Sequence, residues 1–487
     1  MLFNSYEFIV FFFFVTVIYF LLPHRFRWFH LLSASCLFYM AFIPIYILIL
    51  FFTIIIDYIA GIVIEDAVGA RRKWFLVMSI VANVGVLAFF KYYNFFAGNI
   101  NELFHITNVG AQVPLLGIIL PIGLSFHTFQ AMSYTIEVYR GKHKAERHFG
   151  IYALYVMFYP QLVAGPIERP QNILYQFYQH KKFDYDQVTN GLKLMLWGMF
   201  KKVVIADRLS VITDQVYTYP HGQSALTTLL AVIFFSFQIF CDFSGYTDIA
   251  RGAAEVMGFR LMQNFNRPYS SKTISEFWSR WHISLSTWFK DYVYISLGGN
   301  RVSVPRWYFN LFIVFLLSGF WHGANWTFLV WGALHGFYLI FAIITQKPRE
   351  KFNQLIGLSR FKALDNIFRK LTTFVLVAFA WIFFRATSLA NASDIIKQLP
   401  KAFTDIKNVI LRHGALPFTA DMKTKIGYAV FLIAFLELVH YMERNNNILS
   451  LVNNKPRLVR WFIYYTILLM IIFLGVFQQR TFIYFQF

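Results

Sequence analysis

The chain is poor in charge and nearly free of cysteine. Only 14% of its 487 residues are Asp, Glu, Lys or Arg, against 58% hydrophobic residues. So few ionic groups cannot coat a water-soluble globule of this length, and the solvent around it is lipid. The two cysteines, Cys36 and Cys241, lie in or at the end of apolar segments. They exclude a disulfide framework and a cysteine metal centre. There is no HExxH of a zinc protease, no GxxxxGK[ST] of a nucleotide-driven pump and no GxSxG hydrolase elbow. The N-terminus lacks the basic stretch and small-residue cleavage site of a signal peptide, so residues 2–22 are expected to be a retained first span.

What is present points to a polytopic membrane protein. Fifty-nine Phe, 28 Tyr and 12 Trp suit both the acyl-chain region and the headgroup belts. The net charge of +20 comes from short basic clusters between apolar runs, a pattern that sets topology rather than binding nucleic acid. Apolar runs long enough to cross a bilayer are expected at Leu2–Leu22, Trp74–Phe96, Val113–Val138, Ala225–Cys241, Trp326–Thr345 and Trp461–Val476. The stretch Phe29–Ile64 carries Pro44 midway and reads as a kinked helix or a helical pair. Shorter runs near Ile151, Leu192, Tyr308, Leu371 and Ile426 bring the total to roughly ten to twelve membrane helices. The basic runs at 70–73, 140–147 and 347–370 are expected on the cytoplasmic side, and the stretch 99–112, without Lys or Arg, outside. The expected fold is an all-α integral membrane bundle, one domain over residues 1–487, with re-entrant or interfacial helices around a central funnel.

The funnel is expected between Pro160 and Trp326, where GPIERP (165–170), CDFSGYTDIARG (241–252), FNRPYSS (265–271) and SLGGNR (296–301) interrupt the hydropathy. Broken backbone at membrane depth is tolerated only where protein or a wet cavity covers it. Ionisable residues there are the leads to chemistry, because each is costly in hydrocarbon. His322 in SGFWHGANW (318–326) follows an apolar run, and Gly319 and Gly323 are expected to let the backbone bend and a substrate approach the ring. Read alone, it is sooner a histidine hydrogen-bonded between helices than a catalytic one. The segment Glu276–Tyr292 has helical periodicity: Trp278, Trp281, Leu285, Trp288 and Phe289 share one arc, and Glu276, Arg280, Ser284, Thr287 and Lys290 the other. His282 sits at the boundary, one turn from Ser286, in either a catalytic or an anchoring helix. Asp242, Asp248, Arg251 and Glu255 read as structural ion pairs or a substrate contact. Glu168 and Arg169 read as structural, and Lys201 and Lys202 as the cytoplasmic end of a span. FWSRW (277–281) lacks the glutamine of the QxxRW motif of glycan synthases.

Two histidines in a membrane chamber suit acyl transfer: an imidazole can take the proton of an acceptor hydroxyl as it attacks a thioester. His322 is then the base and His282 its orienting or charge-stabilising partner. Trp321 and Asn325 flank the base. These two, with Ser286, Asp242, Arg280, Lys290 and Arg301, are candidates for substrate or donor contacts, the basic ones through donor phosphates. A transporter whose buried charges line a path is the competing reading.

WHISLSTWFKDYVYISLGGNR, SGFWHGANWTFLVWGALHG, GPIERP, DFSGYTDIARG and the terminal FIYFQF together resemble the membrane-bound O-acyltransferases over nearly the whole chain. The resemblance implies a many-helix fold with a funnel, an essential histidine at His322 and a second at His282. It also implies residence in a bacterial cytoplasmic membrane and no tightly bound cofactor. The acyl donor would be a cytoplasmic thioester, acetyl-CoA in the branch that acetylates alginate-like exopolysaccharide. An SGNH-hydrolase-like extracytoplasmic partner would often complete transfer to the polymer. Similar enzymes act on teichoic acid or peptidoglycan.

Overall fold

The computed structural model describes residues 1–357, 360–411, 418–444, 448–477 and 482–483. Among these residues every regular element is helical. The chain forms two compact units, Met1–Leu196 with Tyr246–Gln263, and Trp197–Gly245 with Asn264–Phe487.

The first unit contains α1 (Tyr6–Leu21), α2 (His24–Met40), α3 (Ile47–Asp66), α4 (Ala70–Leu87), α5 (Tyr93–Ile106), α6 (Leu124–Tyr139), α7 (Phe149–Met157), the single turn α8 (Tyr159–Leu162), α9 (Pro170–Tyr178) and most of α10 (Tyr185–Met199). The second contains α11 (Asp207–Thr218), the first part of α12 (Ala225–Val256), α13 (Ile274–Arg280), α14 (Ile283–Phe289), α15 (Val304–His322), α16 (Trp326–Ile344) and α17 (Gln346–Leu355). It continues with α18 (Lys362–Arg385), α19 (Leu389–Gln398), α20 (Lys401–Leu411), α21 (Ala420–Met442), α22 (Ile448–Asn453) and α23 (Arg457–Leu474).

Eight helices among the described residues are long and apolar enough to span a bilayer: Pro44–Asp66, Ala70–Ile106, α12, α15, α16, α18, α21 and α23. The apolar α1 has 16 residues. Other segments counted toward ten to twelve form shorter helices, such as α7 with 9 residues and α10 with 15, below the roughly 20 that a crossing takes. The stretch with Pro44 is a helical pair, α2 and α3, broken at residues 41–46 by a turn and a short 3-10 segment.

The expected span Val113–Val138 is corrected: helix begins only at Leu124, after Gly123 at φ +78°. Pro114 and Pro121 donate no backbone hydrogen bond, and hydropathy does not register that loss. The non-helical backbone is held instead at two points by asparagines of α5. Asn101 donates to the Val113 carbonyl at 2.9 Å and accepts from its N–H at 2.7 Å. Asn94 does the same for Leu116, both at 2.8 Å.

In the second unit α15 and α16 approach closely because glycine faces glycine. A Cβ on Gly319 would lie 2.3 Å from the Phe328 carbonyl oxygen, and one on Gly332 2.4 Å from that of Phe315. Gly319→Val therefore lowers stability by about 1–3 kcal/mol through overpacking, seen as a lower melting temperature of the solubilised protein. Gly85→Val, where a Cβ meets nothing within 4 Å, leaves it nearly unchanged. Equal melting of the two variants would contradict this packing.

Candidate active site

The segment Glu276–Tyr292 is not the continuous helix its periodicity suggests. It breaks at His282, whose φ of +44° is left-handed. α13 ends before it, α14 begins after it, and a π-helical turn, Lys290–Tyr294, follows. The cause lies outside the segment. Asn264 accepts the Ile283 N–H on its carbonyl at 2.9 Å and the Ser284 N–H on its side chain at 3.1 Å, and Asn266 donates its N–H to the Arg280 carbonyl at 3.0 Å. These bonds satisfy the backbone at the break and offset the roughly 1–2 kcal/mol that a left-handed non-glycine residue costs. All five members of the apolar arc are buried.

The break directs His282 inward, where it is fully buried. The Phe243 ring meets it edge-on at 4.6 Å between centroids. Burial pushes its imidazole down to about 3, so the ring is neutral at physiological pH and suits orientation rather than charge stabilisation. Trp321 connects the two histidines, with its ring 6.4 Å from His282 and 4.9 Å from His322. His322 is the last residue of α15, buried, with Trp331 at 5.0 Å and Phe384 at 5.2 Å. The carbonyl end of a helix favours positive charge, which suits a ring that receives a proton. The neighbouring glycines do not make room for substrate, correcting the expectation from sequence. The Gly319 face is filled by α16 backbone, and a Cβ on Gly323 would lie 2.2 Å from the Phe328 ring.

Asp242 immediately precedes Phe243 in sequence and belongs to a buried ion triad. Lys202 Nζ lies 2.7 Å from Asp242 Oδ1 and 2.8 Å from Asp207 Oδ1, and Asp242 Oδ2 accepts the Ile483 N–H at 2.7 Å. Lys201 donates to Ser244 Oγ at 3.0 Å. The expectation that Lys201 and Lys202 mark the end of a span is thereby overturned: both are buried on a π-helical segment, Phe200–Ala206. Two carboxylates around Lys202 offset the desolvation that would otherwise push it to water. Asp248 and Arg251, in the first unit, pair at 3.4 Å. There Glu168 accepts the Met262 N–H at 2.5 Å. Of the FIYFQF motif, Phe482 and Ile483 are described and residues 484–487 lie outside the described residues.

The remaining candidates are held by local contacts. Ser286 Oγ donates to the Trp281 carbonyl at 3.0 Å. Asn325 caps α16, accepting the Thr327 N–H at 3.0 Å, and donates to the Thr387 carbonyl at 3.2 Å. Arg280 pairs with Glu276 at 2.7 Å. Lys290 and Arg301 are exposed.

A third buried histidine of the second unit went unmarked in the sequence reading. His335 lies one helical turn after Trp331 on α16, its ring 5.0 Å from that of Trp331. Its Nδ1 accepts the indole N–H of Trp278 at 3.2 Å. His335 Nε2, Trp331 Nε1 and Trp381 Nε1 are buried with no hydrogen-bond partner among the described residues. A buried donor without an acceptor costs about 1–3 kcal/mol, so three in one aromatic cluster call for a reason. The four-residue spacing of Trp331 and His335 beside His322 was the available signal.

Comparison with known proteins fits these motifs. The model of the MBOAT, membrane-bound O-acyltransferase family, matches residues 146–386. The chain is 39% identical over 379 residues to the probable alginate O-acetylase AlgI of Pseudomonas aeruginosa, covering 77% of this chain and 70% of that protein. It is 35% identical over 396 residues to the peptidoglycan O-acetyltransferase of Helicobacter pylori, covering 76% and 73%. It is 28% identical over 245 residues to the teichoic acid D-alanyltransferase of Bacillus subtilis, covering 48% and 62%.

Proposed function

Because the chain belongs to the membrane-bound O-acyltransferase family, we propose that it moves an acetyl group from a cytoplasmic thioester to a hydroxyl of an extracytoplasmic, alginate-like polysaccharide, with His322 as the base. It is a multi-pass membrane O-acyltransferase. The observation that carries the site assignment is the burial of His322 at the end of α15, its ring walled by Trp321, Trp331 and Phe384.

His322 takes the proton of the acceptor hydroxyl as its oxygen bonds to the thioester carbonyl carbon. The carbonyl electron pair moves onto oxygen. When that pair returns, the carbon–sulfur bond breaks, and the leaving thiolate takes the proton from the imidazolium. Ester and free thiol result, and the base is restored. The aromatic walls exclude water, which would otherwise hydrolyse the thioester. His282 is a positioning residue in this scheme, acting on His322 through Trp321. The donor is acetyl-CoA as a substrate, and the membrane is the bacterial cytoplasmic membrane. The acceptor hydroxyl belongs to the sugar or to an SGNH-hydrolase-like partner that relays the group.

Acetyl is preferred over D-alanyl because the two acetylating relatives match at 39% and 35%, each over about three quarters of this chain, whereas the D-alanyl relative matches at 28% over 48%. Mild base treatment of polysaccharide from cells carrying the chain, compared with cells lacking it, is expected to release acetate. Release of D-alanine in its place would replace this reading with that of an alanyl transferase.

A further inference from the structure

The acyl transfer read at His322 creates a negative oxygen that a base alone does not stabilise. The tautomer of His335 is fixed by its partner. An indole N–H only donates, so His335 Nδ1, which receives the Trp278 N–H, is an acceptor and the ring hydrogen resides on Nε2. That N–H, with those of Trp331 and Trp381, is buried and without an acceptor among the described residues. The three side chains are fully buried. Their ring centroids lie 5.0 Å apart for Trp331 and His335, 5.7 Å for Trp331 and Trp381, and 6.5 Å for His335 and Trp381. Trp331 also meets the His322 ring edge-on at 5.0 Å.

Native interiors pair nearly all buried donors. Here three neutral donors cluster with no acceptor for any of them among the described residues, and one of the three, Trp331, meets the base. One water offers two acceptor lone pairs, too few for all three. A carbonyl oxygen that becomes an oxyanion suits them better, since fixed dipoles in a dry, apolar wall act most strongly on charge that develops during reaction. We infer that the N–H groups of Trp331, Trp381 and His335 receive the carbonyl oxygen of the acyl thioester and stabilise the oxyanion formed when the acceptor hydroxyl attacks. The inference rests on the acyl-transfer reading at His322. The three residues are catalytic through their N–H hydrogens, and Trp278 is a positioning residue that fixes the His335 tautomer.

The test uses membranes containing the full chain, labelled acetyl-CoA and alginate, at matched protein abundance. Trp331→Phe and Trp381→Phe keep an aromatic ring and remove one donor each, and removal of one such donor costs about 10²–10³-fold in turnover. A loss of that size at unchanged KM for acetyl-CoA is expected, with His335→Phe equally impaired. His335→Gln, which retains an amide donor, is expected to recover much of the rate. A trifluoromethyl ketone analogue of acetyl-CoA, hydrated to a tetrahedral centre, is expected to lose affinity in the Trp→Phe variants, whereas a thioether analogue binds as to wild type. Wild-type turnover and wild-type affinity for the ketone in both Trp→Phe variants would overturn the oxyanion assignment. Wild-type protein that transfers no acetyl group to any hydroxyl acceptor, polymer or added partner protein, would instead remove the reading beneath it.

Discussion

Replacing His322 by glutamine is expected to lower acyl transfer by about 10²–10⁴-fold, the range that general-base catalysis supplies, at unchanged membrane abundance. Glutamine nearly fills the volume of the imidazole and remains polar, so the cluster of Trp321, Trp331 and Phe384 around it keeps its packing. An amide cannot hold the proton of the attacking hydroxyl and return it to the leaving thiolate. The loss should therefore fall on turnover, with the KM for donor little changed, because His322 acts on the hydroxyl and not on donor binding. Rates measured in membranes at several donor concentrations separate the two. A change confined to KM would recast His322 as a binding residue.

The second large effect is on stability. Lys202→Met is expected to destabilise the second unit by about 3–5 kcal/mol, because removing one partner of a buried ion pair leaves uncompensated charge. Here the cation lies between Asp207 and Asp242 at 2.8 and 2.7 Å, so its loss confronts two carboxylates. The damage should reach the site. Asp242 holds the Ile483 N–H, and Phe243, the next residue, places its ring on His282. Thermal unfolding of the solubilised protein is expected to show the loss. Lys202→Met combined with Asp207→Asn and Asp242→Asn should recover most of it, since no net charge then stays buried. Melting of Lys202→Met at the wild-type temperature would show that the triad contributes nothing.

Helices such as α16 and α23 were legible in the sequence because an unbroken apolar run of adequate length has one reading in lipid. The membrane class followed from composition, and the family from motifs spread along the chain. What sequence reading missed depends on distant partners. Residues 113–123 are as apolar as a span, yet they are not helical, and Asn94 and Asn101 take the backbone groups of Leu116 and Val113. The helical periodicity of Glu276–Tyr292 is real on its buried arc, but Asn264 and Asn266 take the backbone bonds that a continuous helix would use. Lys201 and Lys202 resemble a basic flank because adjacency to aspartates 5 and 40 positions away is invisible along the chain. Gly319 was legible as a close approach, but what approaches is Gly332 of the next helix. His322 and His282 stood out by their apolar settings, whereas His335 was masked as one more polar residue on an aromatic helix.

The central claim is that His322 performs acyl transfer to polysaccharide. Its most direct test is the ester-linked acetyl content of polysaccharide from cells carrying wild type or His322→Ala at equal membrane abundance. Base-labile acetate on the wild-type polymer and none above background on the variant's is the expected result. Full acetylation with His322→Ala would contradict the mechanism and favour a transporter in which the histidine only lines the path.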